Sequence, residues 1–81
     1  MLAMLREETG RLLAEIAQAV ECAEIGDLND PQWREFVVTA ALLIDPARYD
    51  DATWREAAAQ LTGTPCGAQS RVGAILWMRD H

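Results

Sequence analysis

Asp30–Val37 reads DPQWREFV and Asp51–Ala58 reads DATWREAA, so both stretches share the frame Asp-x-x-Trp-Arg-Glu. How that frame is read decides the fold. An aspartate just before an apolar-periodic segment is a helix cap, because its carboxylate accepts a backbone N–H of the first turn. Pro31 follows Asp30 at the first helical position, where a missing N–H costs nothing. In each stretch the tryptophan lies three residues beyond the aspartate and opens an apolar stripe. The arginine lies four residues beyond it, a spacing that favours pairing on one helix face. The two stretches therefore read as two helix starts, with Asp30 and Asp51 as caps. The likeness stops at the glutamate, which is too short a match to establish a duplicated helical hairpin.

Working outward, Trp33, Phe36, Val37, Ala40, Ala41 and Ile44 form one side of a helix over 31–44. Asp45-Pro46 ends it, since the residue before proline avoids the α region. Trp54, Ala57, Ala58 and Leu61 make the stripe of a helix over 51–61. Upstream, Leu5, Leu12, Leu13, Ile16, Ala17, Val20 and Ala23 recur at helical spacing and predict a helix over about 3–25, with Gly26 as its stop. Its outer face carries Glu7, Arg11 and Glu15 at successive four-residue steps. Gly10 is its weak point, costing about 1 kcal/mol against alanine, and is expected to allow a close helix crossing. Downstream, LTGTPCG at Leu61–Gly67 separates the third helix from a fourth over 65–79: Gly63 ends one, and Thr64 with Pro65 starts the next. No segment reads as a strand. The expected fold is all-α, a compact bundle of about four helices in a single domain spanning 1–81.

The totals agree with that size of core and narrow the function. The 81 residues are 51% hydrophobic and 25% charged, a globular composition. Thirteen acids face seven arginines and no lysine, for a net charge of −6. Such a chain repels a phosphate backbone, and its arginines are spread along the sequence. Cys22 and Cys66 follow no metal or redox spacing, so reduced thiols and a cytoplasmic location are expected. The start, MLAMLREETGRLL, has acids where a signal peptide needs an apolar stretch. The longest apolar run, FVVTAALLI at Phe36–Ile44, is about half of what spans a bilayer. No membrane partner is expected.

Reactive constellations are sparse. His81 is the only histidine and the last residue, where disorder is expected; this removes Ser-His-Asp and Cys-His arrangements. Cys66 is expected in the first turn of the fourth helix, where the dipole lowers a thiol pKa, but no base accompanies it. Glu21, Glu24, Asp27 and Asp30 cluster, as do Asp45, Asp50 and Asp51. Paired carboxylates can bind a divalent ion or transfer protons. DLND, however, lacks the alternating ligands and glycine of an EF-hand loop, and solvated loops and caps account for these acids. There is no P-loop and no GxGxxG. No catalytic residue, cofactor or metal is assigned, and the chain reads as a non-enzyme.

AILWM at Ala74–Met78 covers every side of a helix with apolar groups, so that helix is either central or exposes something greasy. Trp77 and Met78, with part of the first helix, are the candidate protein-binding surface. The expected function is a small acidic protein-binding module acting as adaptor, regulator or inhibitor. Its partner would be a protein with a basic groove or a second copy of the chain. Small acidic helical proteins of phages and mobile elements, some anti-CRISPR inhibitors among them, are similar in size and charge; no motif carries that likeness.

One longer pattern points elsewhere. ATWREAAAQLTGTPCGAQSRVGAIL has an aromatic-Arg-Glu start at Trp54-Arg55-Glu56, an alanine at Ala58 or Ala59, Gly63 near the turn and the pair Ser70-Arg71. Over about a third of the chain this resembles the DNA-reading end of sigma-factor-type regulators. The resemblance implies a helix-turn-helix that contacts DNA through Gln69, Ser70 and Arg71, and this is the alternative function. The chain departs from the pattern in its turn, which gains one residue and then loses one, and in Gln69, which falls where a buried aliphatic is expected. Gln69, Arg71 and Arg79 are the donors such a helix would offer.

Overall fold

Aspartates cap three of the described helical segments. The computed structural model describes residues 7–21 and 28–81. Asp30 accepts the backbone N–H of Gln32 at 3.1 Å and begins a 3₁₀ turn, Pro31–Trp33, that runs into helix α2, Arg34–Leu43. Asp45 repeats the device: it accepts from Ala47 N at 2.9 Å and begins the turn Pro46–Arg48. Helix α1 spans Glu7–Val20, α3 spans Asp51–Thr62 and α4 spans Arg71–Asp80. Among the described residues there is no strand.

The cap of α3 is Asp50, not Asp51 as the repeated frame predicts. Asp50 has the extended backbone of a cap, φ −79° and ψ 169°, and one carboxylate oxygen accepts both Thr53 N at 2.8 Å and Thr53 Oγ1 at 2.6 Å. Asp51 is already the first helical residue. Its carboxylate accepts the backbone N–H of Arg71 at 3.0 Å instead, tying the start of α4 to the start of α3. The two Trp-Arg-Glu stretches thus begin helices by different means.

The fourth helix starts at Arg71, six residues later than the predicted 65. Ser70 supplies the cap, accepting from Gly73 N at 3.2 Å, whereas Thr64, expected to open the helix with Pro65, has its backbone N–H and carbonyl on the Thr62 hydroxyl. Cys66 consequently lies in the loop, half-buried against the core, and the helix-dipole argument for its thiol lapses. Gly63 ends α3 as expected, at φ 72° with its N–H on Ala59 O at 2.9 Å. Within the described residues α1 ends at Val20, with Glu21 at φ 60°; Leu5, Ala23 and Gly26 lie outside them. Gly10 marks no close crossing, because a Cβ built there would meet nothing within 4 Å.

α1 packs on α2 and α3, and α4 packs on the same two, so each helix has two neighbours in a four-membered ring. The centre is Leu12, Leu13 and Ile16 of α1, Val37 and Ala41 of α2, Trp54, Ala57 and Ala58 of α3, and Ile75 and Met78 of α4. Leu28 is buried in the same cluster. Phe36, expected in that core, points outward.

Two arginines hold helix ends together from within. Arg34 does not take up the expected pairing with Asp30. Its Nη1 donates to Met78 O at 2.6 Å and its Nη2 to Leu61 O at 3.4 Å, so one cation serves the C-terminal turns of α3 and α4. Carbonyls there lack helical donors and carry the negative end of the dipole, which is why a cation settles among them. Arg71 serves α2 in the same way.

Candidate functional site

The candidate surface on α4 is largely interior. Ala74, Ile75 and Met78 are buried, and Met78 has no exposed area to offer a partner while the helix stays packed. Trp77 is half-buried, and His81 stacks on its ring with centroids 3.8 Å apart and planes 9° from parallel. The terminal histidine is therefore placed, not loose: a ring nitrogen also lies 3.1 Å from Trp77 O. The apolar groups that α4 does expose are Val72 and Leu76.

The larger apolar surface belongs to α2. Val37, Ala40 and Ala41 face inward, and the remaining side carries Phe36 at 59%, Leu42 at 55% and Leu43 at 82% exposure. Phe36 and Leu43 stand two turns apart with Thr39 between them. The Trp33 ring supports Phe36, with centroids 6.0 Å apart. Ala19 and Val20 of the last turn of α1, with Glu21 just after it, form a facing wall. Between these walls runs an open groove of about 590 Å³, lined also by Thr39 and Ala40, whose charged members among the described residues are Glu21 and Glu35. Glu21 holds its carboxylate there from a left-handed backbone, φ 60°, a conformation that costs a non-glycine residue roughly 1 kcal/mol. A smaller depression adjoins the groove along α2: it shares Glu35 and Thr39 with it and is otherwise lined by Pro31, Arg34, Val38 and Arg79.

The residues of the helix-turn-helix reading are placed as follows. Gln69 is exposed in the loop, and Ser70 is the α4 cap. Arg71 is engaged at both ends: its N–H meets Asp51, and its guanidinium Nη2 meets the carbonyls of Ala41, Leu42 and Ile44, each at 3.2 Å. Arg79 pairs with Asp80 at 3.2 Å. The Arg71 guanidinium is thus taken up by the carbonyls that end α2, and the Arg79 guanidinium by a carboxylate.

The acidic clusters resolve into local partners. Asp30, Asp45, Asp50 and Asp51 each accept a backbone N–H, while Glu24 and Asp27 lie outside the described residues. Among the described residues no group of three or more His, Cys, Asp or Glu side chains is arranged to hold a metal. A small polar cluster joins α1 to the loop before α3: Tyr49 donates its hydroxyl to Glu15 at 2.7 Å, and Arg48 pairs with the other Glu15 oxygen at 3.4 Å. Partial burial pushes the Tyr49 hydroxyl above its ordinary 10.0, and the hydrogen bond to Glu15 and that carboxylate's charge push it the same way. No described helix is long and apolar enough to cross a membrane.

No protein-family model matches the chain, and neither curated proteins nor solved structures give a significant match.

Reading the sequence misses Leu42 and Leu43 and turns Phe36 inward. The signal is nevertheless present. FVVTAALLI is apolar on all sides, as AILWM is, and a helix of that kind on the rim of a small bundle must show one side to water.

Proposed function

We propose that this protein is a non-enzymatic binding module that acts on another protein through the outer face of α2, as an adaptor, regulator or inhibitor. The observation that carries the reading is the joint exposure of Phe36, Leu42 and Leu43 on one ten-residue helix. Burying one such side chain is worth about 1.5–3 kcal/mol, so a surface that leaves three in water is stabilised when a partner covers it. The net charge of −6 favours a partner with a basic surface, a description that fits nucleic-acid-processing machinery. DNA contact through Gln69, Ser70 and Arg71 has less support, because Ser70 and Arg71 already serve the fold.

The test is affinity capture from the source cell with the wild-type protein and with Phe36→Ser/Leu43→Ser. That variant keeps the net charge and alters exposed positions only. The reading predicts a specific captured protein that disappears with the variant while circular dichroism shows unchanged helix content. Capture that survives the variant, or duplex-DNA binding that weakens steeply with salt and depends on Arg71, would overturn it.

A further inference from the structure

We infer that the groove between α1 and α2 takes an amphipathic helix of the partner, with aliphatic side chains set between Phe36 and Leu43 and lysine or arginine beside Glu21 and Glu35. This rests on the reading of α2 as the contact face and adds the chemistry of what sits there.

The shape argues for a helix. The groove is walled by the end of α1 on one side and by α2 on the other. Phe36 and Leu43 are seven residues apart, about 10 Å along the axis at 1.5 Å per residue. That is the repeat over which a helical ligand presents side chains at i, i+3 or i+4, and i+7. Leu43, the most exposed of the large apolar residues, stands at one end of this span and Phe36 at the other.

The charges select the ligand's flanks. Among the described residues both charged groups lining the groove are carboxylates, and they come from opposite walls: Glu21 just after α1 and Glu35 from the start of α2. No arginine among the described residues lines this groove; Arg34 and Arg79 line the adjoining depression, on the far side of Glu35 and Thr39, which the two share. The backbone at Glu21 is held in a conformation that glycine would adopt freely, and the position still carries an acid. An apolar trough with an acid on each wall is complementary to a helix that has an apolar stripe and basic residues beside it.

The same charges disfavour a second copy of the chain as the occupant. Two copies meeting through this face about a two-fold axis would bring Glu21 and Glu35 of both chains into one interface, from protomers that each carry −6.

The experiment measures fluorescence anisotropy of the full chain with three labelled peptides of about 18 residues. One is an amphipathic Leu/Lys helix, one an amphipathic Leu/Glu helix, and one a scramble of the first without an apolar face. The Leu/Lys helix is expected to bind at least tenfold more tightly than either of the others. Phe36→Ser/Leu43→Ser and Glu21→Gln/Glu35→Gln are each expected to weaken it at least tenfold, with helix content unchanged. Equal binding of the scramble, or indifference to Phe36→Ser/Leu43→Ser, would mean adhesion to a generally acidic surface and overturn the inference. Equal binding of the Leu/Glu helix, with Glu21→Gln/Glu35→Gln silent, would overturn the charge assignment. A dimer in light scattering that Phe36→Ser/Leu43→Ser dissolves would make a second copy the occupant and overturn it too. Failure of every peptide alongside intact, Phe36- and Leu43-dependent capture from the cell would remove the helical ligand while the contact face itself stands.

Discussion

The guanidinium carbon of Arg71 lies 5.3 Å from the centre of the Trp54 ring, while Nη2 of the same group faces the carbonyls that end α2. One side chain of α4 thereby fastens α2 to α3, two helices that sit diagonally across the ring. Arg71→Leu is expected to destabilise the protein by about 1.5–3 kcal/mol, the range for hydrogen bonds to a charged group. Arg71→Lys should recover only part of this, because an ammonium neither stacks on the indole nor matches the planar guanidinium. Urea unfolding checks both. A solvent-facing arginine kept for DNA contact would instead change stability by less than about 0.5 kcal/mol.

The two tryptophans of the repeated frame have unequal weight. Trp54 is fully buried with the Tyr49 ring edge-on at 6.4 Å, whereas Trp33 is half-buried at the margin. Trp54→Ala should cost about 3–5 kcal/mol and Trp33→Ala clearly less. Equal losses in denaturant midpoints at constant slope would mean that the two stretches are equivalent after all.

At Glu21 stability and binding are expected to part company. Glu21→Gly frees a left-handed backbone of its Cβ and should raise stability by about 1 kcal/mol. It also removes one of the two acids lining the groove, so affinity for a basic amphipathic helix should fall. Thermal melts and peptide titration on the same sample report the two effects separately.

Tyr49 confers a stability that alkali removes. Its hydroxyl is held above the ordinary 10.0, so the fold prefers the neutral side chain. That preference is fully present below pH 10.0 and is lost as pH rises through the elevated folded-state value. Tyr49→Phe should lower stability at neutral pH by about 0.5–1.5 kcal/mol, the worth of its bond to Glu15, and flatten the decline above pH 10.0. Denaturant unfolding between neutral and alkaline pH measures both.

Much of the architecture is legible in the residues. Asp30 before Pro31, Gly63 after Leu61 and the apolar periodicity of α1 and α3 each point to the helix found there. What is hidden depends on neighbours. Asp50 and Asp51 are both competent caps, and what separates them is that Asp51 meets the N–H of Arg71 at the start of α4, leaving Thr53 N to Asp50. Thr64 before Pro65 and Ser70 both carry a hydroxyl able to cap a helix, and it is the Ser70 hydroxyl that accepts a first-turn N–H, that of Gly73. Periodicity fails most clearly where a helix is apolar all round. In FVVTAALLI and AILWM nothing local says which side meets the core, so Met78 reads as surface and Phe36 as core, and packing reverses both. The acids beside the groove are visible in the sequence as Glu21 and Glu35, but their convergence needs α1 laid against α2.

The most direct test of the contact face is a set of ¹⁵N–¹H correlation spectra of the labelled protein titrated with the Leu/Lys amphipathic helix. The account predicts shifts concentrated at Ala19–Glu21 and along Glu35, Phe36, Thr39 and Leu43, with Gln69–Arg71 and the Tyr49 cluster still. Shifts centred instead on Gln69–Arg71, or spread evenly over the acidic surface, would contradict it.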